Sequence, residues 1–252
     1  MVRLSGLLLC AAMAWGQHPS DSDSATLIER ARQKALDYTR SLPDFVCAES
    51  VHRFAARPER SFSRTDVLTV KLRYLQGKEE HSLSQIDGKP TDKKYEDLAF
   101  ATGSGEFGGI LRTVFDPASQ AAFEWKGWKT VRKRRAAAYE YAVSAAHAPY
   151  VLTANHVKAV VGIHGVVELD SETGEALFLS YIAYELPRDF DAQYAASSVD
   201  YEWTNVGGRN YLLPSHSQQE VHGVRIWTLN KIDFHDYGKF SADAVIDFGT
   251  GK

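Results

Sequence analysis

The stretch EALFLSYIAYEL, residues 175–186, decides the fold. Leu177, Leu179, Tyr181 and Ala183 alternate with Phe178, Ile182, Tyr184 and Leu186, so both sets of alternate residues are apolar. A period of two over so short a run reads as a strand, and a strand apolar on both sides has to be covered on both. The expectation is a strand inside a broad sheet, with something lying over its second face.

Neighbouring stretches supply the rest of that sheet. Residues 198–206 place Val199, Tyr201 and Trp203 on one side and Asp200, Glu202 and Thr204 on the other; residues 67–76 oppose Leu68, Val70, Leu72 and Tyr74 to Thr69, Lys71 and Arg73. Residues 137–143 line up Tyr139, Tyr141 and Val143, and residues 242–248 line up Ala244, Ile246 and Phe248. Glycine marks the reversals, at Gly77, Gly88, Gly127, Gly174, Gly207–Gly208 and Gly223, which is the punctuation of an antiparallel meander. The run 224–237 exceeds the usual five or six residues of a strand and predicts one bent through a curved sheet. The fold class is therefore mainly β (α+β): a large curved antiparallel sheet, or half-barrel, with an N-terminal helix and a short lid or plug helix filling its concave side.

The first helix is expected from Ala25, capped by Ser24, to Ser41, with Pro43 beyond it. The second lies in GSGEFGGILRTVFDP, residues 103–117, where Phe107, Ile110, Leu111, Val114 and Phe115 form an apolar stripe, Glu106 suits the helix start and Asp116-Pro117 ends it. Four glycines in that stretch lower its order, so it reads either as a permanent plug or as a hinged lid.

Arg3 followed by an apolar run from Leu4 to Trp15, with Ala14 and Gly16 before Gln17, reads as a cleaved export signal; a membrane span needs about 20 apolar residues. The expected organisation is a signal at 1–16, a flexible linker at 17–24 and a single domain over 25–252, located in the periplasm or secreted. Removal of the signal takes Cys10 with it and leaves Cys47, between apolar neighbours, as a small buried hydrophobe that cannot form an intrachain disulfide. A formal charge of -3 with 24% charged residues points to no nucleic-acid partner.

Two stretches resemble known sequences. ELDSETGEALFLSYIAYELP, through Asp170, Thr173, Gly174 and Leu177, resembles the Asp-x-x-Thr-Gly hairpin of the lipoprotein-localisation half-barrel of LolA, LolB and the amino-terminal part of RseB. VDYEWTNVGGRNYLLPSHSQ, through Gly207, Gly208, Tyr211, Leu212, Leu213 and Pro214, is similar to a strand pair in a group of secreted bacterial proteins. The resemblance implies a LolA-like half-barrel closed by helices over an apolar cavity that takes acyl chains or other hydrophobic groups.

Signatures of chemistry are few. Ser104 lacks the glycine two residues before it that a nucleophile elbow needs, the histidines show no metal-ligand spacing, and His235-Asp236 on one strand should point to opposite faces. No catalytic residue, metal or cofactor is expected. The hydrophobic ligand, a small molecule or lipid, is expected at Phe107, Ile110, Leu111, Val114, Phe115, Tyr139, Tyr141, Phe178, Ile182, Tyr184, Tyr201 and Trp203. The run WKGWKTVRKRR offers Lys129, Arg132, Lys133, Arg134 and Arg135 to an anionic membrane surface or an envelope protein, or serves as a charged edge guard. A solid-cored interaction module and an enzyme assembled from scattered residues are the competing functions.

Overall fold

Strand follows strand through the computed structural model, which describes residues 19–95, 98, 105–147, 150–154 and 157–240. The export signal expected at 1–16 and the strand expected at 242–248 lie outside the described residues. After helix α1 (Asp21–Ser41) come β1 (Phe45–Ala56), β2 (Ser63–Leu75), β3 (Lys78–Ile86) and β4 (Lys89–Pro90). A short helix α2 (Gly109–Phe115) and a 3-10 turn (Pro117–Ser119) precede β5 (Ala122–Val131), β6 (Arg134–Val143), β7 (Tyr150–Ala154) and β8 (Val157–Asp170). The chain then runs through β9 (Ala176–Tyr184), β10 (Ala192–Val206), β11 (Arg209–Gly223) and β12 (Trp227–Lys239). All pairings are antiparallel. The open sheet has the order β4-β3-β2-β1-β12-β11-β10-β9-β8-β6-β5, with β7 paired to β8.

Helix α1 starts one turn before the expected position. Ser20 caps it, its Oγ accepting from Asp23 N at 3.1 Å, and the Asp23 carboxylate suits the positive end of the helix dipole. Ser24, expected as the cap, instead lies inside the helix and shares a 2.9 Å hydrogen bond with the Tyr139 hydroxyl on the sheet. The long run at 224–237 is also divided differently: residues 224–226 form the turn between β11 and β12, and the strand begins at Trp227.

Leu27, Ala31 and Ala35 of α1 and Ile110, Leu111, Val114 and Phe115 of α2 share one buried cluster with Tyr139 and Tyr141 of β6, Val167 of β8, Leu179 of β9 and Tyr201 of β10. This defines the inner face of the sheet. A second cluster, around Phe45, Leu72, Tyr74, Phe107 and Phe234, continues the core through β1, β2 and β12 and contains Cys47, whose thiol burial pushes upward.

The Asp-x-x-Thr-Gly hairpin is a local device. Asp170 Oδ1 accepts from the Glu172 and Thr173 amides at 2.9 Å each, and Gly174 turns with φ 77° where a Cβ would lie 2.9 Å from Arg30 Cγ of α1. The glycine thus both makes the turn and lets α1 seat against it.

The second apolar face of β9 is not covered by a helix, since α1 and α2 share their cluster with Leu177 and Leu179 on the other side. There Phe178 and Tyr184 are half-buried and Ile182 is exposed. Two tyrosines cross β8, one on each face of the sheet. Tyr141 of β6 passes Gly165 and donates to the Ser180 carbonyl of β9 at 2.9 Å, while Tyr184 of β9 sits against Gly162 and donates to the Val143 carbonyl of β6 at 3.1 Å. The Tyr184 ring occupies space that a Cβ at Gly162 would fill, so an aromatic on a neighbouring strand covers that glycine, whereas a Cβ at Gly165 would meet the Ser180 backbone.

Candidate functional site

The segment 105–119 covers the inner face, and its fastening is partly polar. Gly108, just before α2, has φ 108°, and a Cβ there would fall 2.6 Å from Thr39 Cγ2 and 2.7 Å from Tyr38 Cδ1. Alanine at Gly108 would therefore strain the backbone and push α1 away, whereas Gly109 has open space around it. Phe107, expected on the helix, lies ahead of it and nests among Phe45, Tyr74 and Phe234 with ring centroids 5.3, 5.8 and 5.7 Å away.

Between the two apolar clusters sits Glu106, 7% exposed. Its carboxylate accepts from Gln219 Nε2 at 2.6 Å and Ser217 Oγ at 3.4 Å, both on β11, and its backbone carbonyl accepts from the Tyr201 hydroxyl at 2.9 Å. Burial and the neighbouring Glu79 push its pKa up to about 8. Glu79 on β3 accepts from the Gly105 amide and is itself raised by burial, and its Oε2 is buried without a hydrogen-bond partner. Across β2, His81 Nε2 lies 3.3 Å from Glu49 Oε1; burial alone would lower this histidine, but the Glu49 carboxylate outweighs it and the pKa is raised. Nothing in the sequence placed Glu49, Glu79, His81 and Glu106 together, because they come from β1, β3 and the lead into α2.

Of the residues expected to touch a hydrophobic ligand, Ile110, Leu111, Val114, Phe115, Tyr139, Tyr141 and Tyr201 meet in the inner cluster and Phe107 in the adjoining one. Phe178, Ile182 and Tyr184 alternate with Leu177, Leu179 and Ala183 and so lie on the outer face, and Trp203 is 46% exposed. Of the cationic run, Arg132 is held by Asp200, Glu202 and the Tyr201 carbonyl, and Arg134 by Asp170. Lys129, Lys133 and Arg135 line an open groove of about 460 Å³ together with Trp128 and Thr130. A second groove, of about 280 Å³, runs over β5, β6 and β8; no residue of α1 or α2 lines either one.

His235 and Asp236 do interact, contrary to the alternation expected of a strand. Asp236 takes φ 55°, which turns its carboxylate to His235 Nδ1 at 2.7 Å, and His235 Nε2 lies 3.0 Å from Ser50 Oγ. The order of groups is that of an activated serine, but β1 is paired on both sides, to β2 and to β12. Its amides are committed to the sheet and do not supply an oxyanion hole around Ser50. Among the described residues no group of three or more His, Cys, Asp or Glu side chains is arranged to hold a metal, and no helix is long and apolar enough to cross a membrane.

No family model matches the sequence, and no curated protein matches it. Among solved structures, the chain is similar to a LolA superfamily protein from Nitrosomonas europaea, at 9% identity and TM-score 0.40, over 86% of this chain and 93% of that one. It is also similar to a DUF1329 family protein from Desulfovibrio piger, at 9% identity and TM-score 0.42, over 86% and 95% of the two chains. The likeness is one of fold; what this chain does has to be argued from its own residues.

Proposed function

We propose that the chain is an exported cell-envelope protein that holds a hydrophobic ligand, a lipid or acyl group, between the inner face of the sheet and the segment 105–119, which acts as a lid. The observation that supports this reading is Glu106. A permanent plug is held most firmly by apolar side chains, because an ionisable group buried at such a site weakens it. Here the segment is fastened by a carboxyl whose pKa of about 8 leaves it poised to ionise, next to a glycine that needs a left-handed backbone. The ligand would lie between Leu111, Val114 and Phe115 of the lid and Tyr139, Tyr141 and Tyr201 of the sheet, all buried in one cluster.

Burying about ten methylenes gains roughly 8 kcal/mol, and association costs about 4 kcal/mol or more, which leaves the weak to moderate affinity suited to a carrier or sensor that releases its cargo. A solid-cored reading also has a specific observation behind it, the close packing of Ile110, Leu111, Val114 and Phe115 at 5% exposure or less.

Leu111→Asp separates the two. For a lid, the domain stays folded, the segment lifts and uptake of a fluorescent fatty-acid probe falls by about tenfold or more. For a solid core, the variant does not fold, since an unpaired charge is not tolerated there. Wild-type protein that takes up no probe, brings no lipid into native mass spectrometry and exchanges its 110–115 amides only on global unfolding would overturn the lid.

A further inference from the structure

We propose that the tip of the β5–β6 hairpin docks the protein on an anionic phospholipid bilayer, with Lys129, Lys133 and Arg135 meeting headgroup phosphates and Trp128 seated at the interface. The inference does not depend on the lid. It begins from how the cations of this hairpin are used. Lys126 is paired with Glu124 at 2.9 Å and Glu140 at 2.7 Å, Arg132 with Asp200 and Glu202, and Arg134 with Asp170. Those three charges are neutralised within the fold. Lys129, Lys133 and Arg135 form no close ion pair among the described residues, Lys129 feeling Glu168 only at longer range; all three are exposed and converge on one groove.

The groove has an aromatic floor. The Arg135 guanidinium lies 3.7 Å above the Trp128 ring, and Trp125 packs edge-on to Trp128 with centroids 4.8 Å apart. Cations around a half-buried tryptophan match the composition of a bilayer interface, where phosphates and the apolar boundary lie within one side-chain length of each other. A small free anion would satisfy the cations and leave the ring unused.

The backbone at the tip is also costly. Arg132 and Lys133, the two residues of the turn, have φ 45° and 68°, a conformation usually left to Asn and Gly. Arg132 recovers part of that cost through its ion pairs, and they tie the tip to β10. Lys133 forms no ion pair among the described residues. β5 is the terminal strand of the sheet, so this tip stands at its free edge. A guard against strand pairing needs charge along such an edge; it does not need a tryptophan floor or a strained lysine.

Flotation of the full chain with vesicles of equal parts phosphatidylcholine and phosphatidylglycerol, and with phosphatidylcholine alone, tests the proposal. Binding is expected only to the anionic vesicles, and it should weaken between about 0.1 M and about 1 M salt as the Debye length falls from about 10 Å to about 3 Å. The triple variant Lys129→Gln, Lys133→Gln, Arg135→Gln should bind on the order of a hundredfold more weakly, each cation contributing roughly fivefold, with its melting temperature held. Lys78→Gln, at an exposed lysine that opens β3 near the other edge of the sheet, should bind as wild type. Brominated acyl chains should quench tryptophan emission of the wild-type protein, and Trp128→Phe should remove most of that quenching. Failure of the wild type to bind anionic vesicles, equal binding to neutral ones, or full binding by the triple variant would overturn the proposal; the last would leave the charges as an edge guard.

Discussion

Glu106→Gln is expected to remove most of the pH dependence of stability between about pH 4.5 and pH 8. In the wild type the folded-state pKa is raised from 4.5 to about 8. The folded protein therefore holds a proton that the unfolded chain releases, and the associated stability is fully present below about pH 4.5 and lost as the pH rises toward 8. At about 1.4 kcal/mol for each pH unit separating the folded and unfolded values, the loss reaches roughly 5 kcal/mol. Glutamine keeps an acceptor for Gln219 and carries no charge, so at pH 9 the variant should be several kcal/mol more stable than wild type and at pH 4.5 about equal to it. Glu79 and His81, both with raised pKa values, act in the same direction and leave a residual slope. Denaturant titrations across this range measure the difference, and hydrogen exchange at 105–119 shows whether the lid is where stability is lost. Parallel curves for the two proteins would mean that Glu106 is ionised and paired in the folded state.

The second large effect belongs to Gly165. A Cβ there would lie 1.9 Å from the Ser180 carbonyl oxygen and 2.8 Å from Tyr181 Cα, both backbone atoms of β9. Backbone in a strand held on both sides does not swing away, so β8 and β9 must part and Tyr141 loses its acceptor at Ser180. Gly165→Ala should cost about 3 kcal/mol or more, and for a chain of this size lower Tm by roughly 10 °C. Gly162→Ala is the control: its nearest atoms belong to the Tyr184 side chain, which can move, so the cost should be visibly smaller. Equal losses at the two positions would show that β8 and β9 yield more readily than a paired backbone should.

The sheet was legible where one face is wet and the other dry. Val199 and Tyr201, and Leu68, Val70, Leu72 and Tyr74, fall on the buried side that their alternation indicates. The same pattern named Trp203 with them, but that residue stays half exposed. The stripe Ile110, Leu111, Val114 and Phe115 was legible because its spacing is local. The state of the other face of β9 was not: Phe178 and Tyr184 are half-buried, Ile182 is exposed, and Tyr184 lies against Gly162 of the neighbouring strand. The carboxylate cluster was hidden for a related reason: Glu49 and His81 meet across β2 only once the sheet has formed, and no window of sequence contains both. The His235–Asp236 contact depends on one left-handed residue, which alternation does not foresee.

The pairing of β1 with β12 sets a condition on how the molecule comes into being. β2, β3 and β4 join the rest of the sheet only through that seam, in which Phe45 faces Lys239 and Ala56 faces Trp227. The two strands stand at opposite ends of the described chain, so the seam is among the longest-range contacts the fold can make, and such contacts form late and slowly. A polypeptide emerging amino-terminus first holds β1 as an open, apolar edge until β12 arrives. Until then it is a chain without a finished core: it can be threaded through a narrow channel in extended form, and it needs protection from pairing with its neighbours. A chain stopped before Trp227 should accumulate as aggregate rather than as a smaller folded domain.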